Sequence, residues 1–331
     1  MENMYKLWTL LLICIVSLCF GVPTVGAAEN WANVAKEKKW SIGIAQRSLG
    51  GHVFWELLHK SVVENLEKYD CKVRVRDAQD KVELQIRQVD ELISLGVDGI
   101  VINPAHHKGI WPAIRAINEA GIPVVAGNNR VLPGGGVKPN ANVFADDYGI
   151  ARPVGEYIAK MIGTQKEEIK IGFISGNPTP DSLARREGYI AGLIFALAEM
   201  QTNVRVNVVG VKLANWYPDQ ARKHVESMLT AHPDLNILFS ESDTMTRGIM
   251  GAIREHGLAG KLIVASFDGE KDMAELIPKG EIAAIGLFDP IVTGKLIAET
   301  MLKVLAGENV PLNIRPPKAV IHKDNWQDYG Y

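Results

Sequence analysis

The sequence predicts an α/β protein built from two doubly wound parallel-sheet domains. Two observations carry that prediction. From Trp40 onward, short β-rich runs alternate with segments of helical period, and near Asn142-Val143-Phe144-Ala145-Asp146-Asp147 the alternation restarts. Each crossover is about 30 residues long, and a strand–helix–strand series of that spacing forms a parallel sheet with helices on both faces.

The elements follow in order. Ser41-Ile42-Gly43-Ile44-Ala45 reads as a buried first strand, and Leu57, Leu58, Val62 and Leu66 give the next helix one apolar side. Cys71, Val73 and Val75 alternate with Lys72, Arg74 and Arg76 in a second strand, where Cys71 reads as a buried strand residue rather than a reactive thiol. Val82, Ile86, Val89, Leu92 and Ile93 recur at helical period. Residues 99–102 form a third strand, stopped by Asn103-Pro104, and a helix through Ile114 and Ile117 leads to a fourth at 123–126. The second series places strands at 169–175, 204–211, 237–240 and 262–267, with 283–287 closing the set. Leu296, Ile297, Met301, Leu302 and Leu305 then mark a last long helix.

Ahead of this body stands an export signal. Lys6 precedes an apolar run from Leu7 to Phe20, Gly21-Val22-Pro23 breaks it, and Val25-Gly26-Ala27-Ala28 supplies small residues for cleavage after Ala27 or Ala28. The run is short of the roughly 20 residues that span a bilayer. Initiation at Met4 gives a cleaner basic start, because Glu2 offsets Lys6. Cys14 and Cys19 do not make a lipoprotein signal, since Leu18 stands where a small residue is needed. With residues 1–27 removed, about 300 residues remain, room for two domains of ordinary size.

Composition narrows the function. A net charge of −2 without a basic block argues against nucleic acid as a partner. Only Cys71 survives signal removal, so the mature chain has no internal disulfide and relies on its core. The loop after the first strand, Gln46-Arg47-Ser48-Leu49-Gly50-Gly51-His52, lacks a dinucleotide fingerprint, and no P-loop, nucleophile elbow, H-E-x-x-H or paired C-x-x-C occurs. Gly134-Gly135-Gly136 reads as a flexible loop. His106-His107 lacks neighbouring ligands in sequence, so no metal and no cofactor are expected.

In open parallel sheets, ligands sit beyond the carboxyl ends of the strands. The segments to inspect are therefore 47–55, 103–107, 127–130, 176–186, 213–217, 241–244 and 267–270. They mix aromatics (Phe54, Trp55, Trp216, Tyr217) with planar polar groups (Asn128, Asn129, Arg130, Arg185, Asp268). A sugar offers apolar C–H faces and a rim of hydroxyls, which aromatic stacking and Asp, Asn and Arg contacts match.

At these residues the chain resembles the periplasmic sugar-binding proteins of ABC transporters, the ribose-binding-like group with the type I periplasmic binding protein fold. The resemblance runs from about Trp40 to about Ile321. It rests on Val97-Asp98-Gly99-Ile100-Val101-Ile102-Asn103-Pro104, Gly121-Ile122-Pro123-Val124-Val125, Ala184-Arg185-Arg186-Glu187-Gly188-Tyr189, Leu229-Thr230-Ala231-His232-Pro233-Asp234 and Ser266-Phe267-Asp268-Gly269. By that resemblance Phe54 and Trp55 stack on the sugar, and Asn129-Arg130 stands where the family has Asp-Arg, with Asn128 as the register alternative. Arg185, or Arg186 if the gap falls differently, is the second-domain arginine. Trp216 closes the pocket and Asp268 takes two hydroxyls.

The chain departs from the family at three of these places. His52 and Ser242 replace asparagines, and Phe288 replaces a glutamine. Amides are lost and an aromatic gained, so hydroxyls of ribose itself go unpaired. The expected ligand is less hydroxylated, substituted or differently shaped.

The resemblance further implies a monomeric, non-catalytic receptor that closes on its ligand, with crossings near Asp146, Asp289 and Pro317. The domains expected are 40–145 plus 289–316, and 146–288 plus 317–331. The partner is an inner-membrane ABC permease or, alternatively, a histidine kinase or chemoreceptor. A repressor effector domain needs an N-terminal helix-turn-helix that residues 1–39 lack, and an exported hydrolase needs a nucleophile or metal motif. Asp268→Ala and Arg185→Ala are expected to abolish ligand-induced stabilisation with the unliganded fold intact.

Overall fold

Two six-stranded sheets organise the chain, and the computed structural model describes them over residues 30–163 and 167–330. The export signal expected at residues 1–28 lies outside the described residues. In the first sheet, β1 (Ser41–Gln46), β2 (Lys72–Asp77), β3 (Gly99–Ile102), β4 (Val124–Gly127), β5 (Ala141–Val143) and β11 (Asn313–Ile314) run parallel in the order β11-β5-β4-β3-β1-β2. The second sheet contains β6 (Glu168–Ser175), β7 (Arg205–Leu213), β8 (Ile237–Ser240), β9 (Ile263–Asp268), β10 (Ala284–Leu287) and β12 (Ala319–His322). Its order is β12-β10-β9-β8-β6-β7, parallel except for antiparallel β12.

The strand sequences account for their places. β3, β4, β8 and β10 are buried along their whole length, as strands covered on both faces must be, whereas β2 and β7 are edge strands and half exposed. Cys71 is buried just ahead of β2, and burial pushes its thiol up to about 11, an unreactive state. β5, β11 and β12 span two to four residues each. Such lengths are too short for periodicity to reveal.

Helices cover both faces of each sheet. On one face of the first sheet lie α1 (Asn30–Lys38), α2 (Val53–Glu67) and α10 (Pro290–Leu305); α3 (Val82–Ser94) and α4 (Trp111–Glu119) cover the other. The second sheet sits between α5 (Asp147–Ile162) with α6 (Pro180–Glu199) and α7 (Pro218–Ala231) with α8 (Asp243–Glu255). A short helix, α9 (Lys271–Ala274), follows β9.

The helices that open at the cleft carry local start signals. Thr179 caps α6 by accepting from the Ser182 N–H, and Pro180 occupies its first position. Ser242 caps α8 through Met245 N–H, and Asp289 caps α10 by accepting from Ile291 and Val292. Each cap fixes where its helix begins, just past a strand end.

Candidate ligand-binding site

One cavity of about 260 Å³ lies between the two sheets, at the carboxyl ends of their strands. Its first wall is aromatic. Trp55 packs against the Arg47 guanidinium, 4.3 Å from its ring centre, and against the His52 ring at 3.7 Å. Arg47 is itself fixed by Asp80, with Nε 2.7 Å from Oδ1. Phe54 packs on Phe288 with ring centres 5.1 Å apart. Burial pushes His52 down to about 4, Arg47 adding to the effect against the pull of Asp80, so its ring is neutral at pH 7. His52 Nε2 is buried and has no hydrogen-bond partner among the described residues.

The loops after β3 and β4 complete this wall. Asn129 Nδ2 donates to the Pro104 carbonyl at 2.8 Å, which ties the two loops together. Asn128 adopts φ 65°, a conformation asparagine tolerates better than most residues. His107 bonds the Arg130 carbonyl through Nδ1 at 2.9 Å. Arg130 stands beside the cavity rather than among its lining residues: its guanidinium lies 5.0 Å over Phe144, its Nε is buried without a hydrogen-bond partner among the described residues, and its charge acts on Asp181.

The opposite wall is charged. Arg185 lies one helical turn past Asp181 on α6. Its Nε donates to Asp147 Oδ1 at 2.8 Å, its Nη1 donates to the Glu241 carbonyl, and Nη1 stands 3.6 Å from Asp268 Oδ1. Its guanidinium lies 3.8 Å over Phe267 and 5.5 Å from Trp216. Burial pushes Asp147 up to about 6 despite Arg185, and it pushes Asp268 well up, with Asp243 and Glu270 adding repulsion. Arg186, the gap alternative, is half buried and 3.7 Å from Glu241 rather than at the cavity.

Beneath this wall, Glu241 is fully buried and straps the loop after β6. Ser175 Oγ donates to it at 2.7 Å and Gly176 N–H at 3.0 Å, and Ser182 Oγ donates as well. Trp216 packs so closely on Gly176 that any Cβ there would collide with the indole. Trp216 and Asp268 hold φ of 69° and 114°, which are costly for residues with side chains. Ser242 lines the cavity, and its Oγ accepts the Met245 N–H in the cap of α8.

The structure thus gathers His52, Phe54, Trp55, Asn128, Asn129, Arg185, Trp216, Ser242, Asp268 and Phe288 around one space. It adds Arg47, His107, Asn177, Asp181 and Thr244, all in strand-end segments where sequence had no means to rank them. Asn177 Oδ1 is buried and unpartnered among the described residues. Asp147 was beyond that logic, because it opens α5 after a crossing rather than following a strand end in its own sheet. The arrangement offers flat apolar faces on one side. On the other it offers carboxylate acceptors and guanidinium donors, the groups that bind a ring edged with hydroxyls.

Known proteins share this frame. Residues 42–309 match the model of the periplasmic binding protein domain. The ribose import binding protein of Bacillus subtilis is 27% identical over 291 residues, 87% of this chain and 90% of that protein. The D-ribose/D-allose-binding protein of Pseudomonas aeruginosa is 29% identical over 239 residues, 71% of each. Among solved structures, an ABC transporter solute binding protein from Mycobacterium smegmatis with bound glycerol is 26% identical, with a TM-score of 0.78. That match covers 87% of this chain and 96% of the other. With its paired parallel sheets, its inter-sheet cavity and a family match over most of its length, the chain belongs to the periplasmic binding protein family.

Proposed function

We propose that this protein is an extracytoplasmic solute receptor that closes on a small sugar-like ligand and delivers it to an ABC transporter permease. The observation that carries the proposal is the cavity's division of labour. Phe54 and Trp55 line it from one sheet, and Asp147, Arg185 and Asp268 line it with hydroxyl partners from the other. A ligand touching both walls is held best when they approach, so binding favours the closed form.

The proposed moving bodies are 40–145 with 289–316, and 146–288 with 317–331. Placement of β11 in the first sheet and β12 in the second supports that division. Delivery to a permease is preferred to presentation to a kinase because the relatives above include an import protein and an ABC transporter receptor. A non-catalytic role fits relatives that are binding proteins.

Phe288 against Phe54, and a Ser242 hydroxyl that caps a helix, support a ligand other than ribose itself, because both positions lack free amides. A thermal-shift screen of the purified protein against sugars and polyols tests the reading. A ligand at a thousand times its Kd adds about 4 kcal/mol of stability. No shift with any sugar or polyol would sink the proposal.

A further inference from the structure

We propose that His107 and Asp181 form a proton-dependent latch across the cleft, engaged when His107 is an imidazolium and released when it is neutral. His107 lies on the loop between β3 and α4, and Asp181 lies in the first turn of α6, so the pair joins the two halves. Its Nε2 stands 3.1 Å from Asp181 Oδ2, an ion-pair distance without hydrogen-bond alignment, while Nδ1 stands 2.9 Å from the Arg130 carbonyl oxygen. A carboxylate oxygen and a carbonyl oxygen both only accept. With a carbonyl oxygen at Nδ1 and a carboxylate beside Nε2, the ring meets only acceptors and negative charge, which the doubly protonated imidazolium suits best.

The surroundings reinforce this state. The His107 side chain is 6% exposed and that of Asp181 15%, so water does little to replace the pairing. Burial disfavours the charged ring, but the Asp181 carboxylate, with help from the Arg130 carbonyl, outweighs it and raises His107 above its ordinary 6.5. Arg130, from the loop after β4, opposes the charge on His107. Burial also works against the Asp181 carboxylate, yet His107, Arg185 and Arg130 together hold it below the usual range. Asp147, on α5, is the neighbouring acid and interacts with Asp181. Asp181 therefore stays anionic while His107 titrates.

Opening the cleft would separate Asp181 from Nε2 and return His107 towards 6.5. The closed form then binds the proton more tightly than the open form, so closure above pH 6.5 takes up a proton. The latch's contribution is complete below 6.5 and is lost as pH rises through the raised value of the closed form. This rests on the reading of the halves as a closing cleft.

Small-angle X-ray scattering of the full protein tests it, with D-ribose and D-allose as probes at pH values below and above neutrality. In the wild type, the sugar concentration that half-closes the protein should rise with pH, by up to about tenfold per unit of pKa difference. His107→Gln and Asp181→Asn keep polar groups of similar shape but remove the titrating pair, so each should lose the rise that His107 causes and keep only what Asp147 and Asp268 contribute. A wild type that closes equally at every pH, or variants that keep all of its pH response, overturns the latch alone. A protein that closes with neither sugar at any pH overturns the latch and the closing-cleft reading together.

Discussion

Arg185 sits among more buried acid than one guanidinium neutralises. Asp147 and Asp268 flank it, and Glu241 lies beneath, pushed up by burial. This changes what Arg185→Ala does. Removing this guanidinium leaves buried Asp147 and Asp268 without their ion-pair partner, a loss of about 3–5 kcal/mol. Urea unfolding of the unliganded variant should register it, contrary to the sequence-based expectation of an intact fold. Asp268→Asn is the cleaner probe, because it keeps the side-chain shape at a strained φ and relieves repulsion. It should lose most ligand-induced stabilisation in the thermal-shift assay and unfold no more easily than the wild type.

A second acid tests the same physics. Asp243 accepts from the Gly269 and Glu270 N–H groups at 2.8 and 2.7 Å and from Ser266, and burial with Glu270's charge pushes it up to about 8. The folded chain therefore keeps a proton that the unfolded chain gives up above its ordinary 3.8. Its contribution to stability falls as pH rises from about 4 to about 8. Asp243→Asn should flatten that fall in a Tm series across the range. The strand-end rule selected the right loops for such residues. It did not identify Asp181 or Asp147, whose importance comes from partners distant in sequence.

Helices α5 and α6 meet almost backbone to backbone. A Cβ at Gly155 would strike the Tyr189 carbonyl, one at Gly188 the Tyr148 carbonyl, and one at Gly192 the Arg152 carbonyl. Since α5 opens with Asp147 and α6 carries Asp181 and Arg185, this crossing sets the spacing of the charged wall. Gly192→Ala should cost about 1–3 kcal/mol in urea unfolding through overpacking. Gly251→Ala, which meets only the end of the flexible Arg222 side chain at 3.0 Å, should cost much less. The helices themselves were legible from apolar periodicity. The glycines' purpose was not, because close approach depends on which helices become neighbours.

Across the whole molecule, the crossing segments are tied to one another. Arg315 donates to the Ala145 carbonyl and lies 3.7 Å over Phe144, and Lys318 pairs with Asp146 at 2.5 Å. These contacts join the crossing before α5 to the one between β11 and β12. Arg315→Ala should loosen that joint and raise the concentration of sugar needed to close the protein in the scattering assay. The order of the long strands and helices was readable from the sequence. The short edge strands that anchor the crossings were not, since pairing rather than local pattern creates them.

The path of α10 has a consequence for how the chain folds. Ile297, Met301 and Leu302 are buried in the first half's core, α10 packs on α2, and β11 completes the sheet beside β5. The first half therefore remains without its last helix and edge strand until synthesis has passed β6 to β10 of the second half. Completing the first core requires contacts between residues separated by most of the chain, which makes it a slow step of folding.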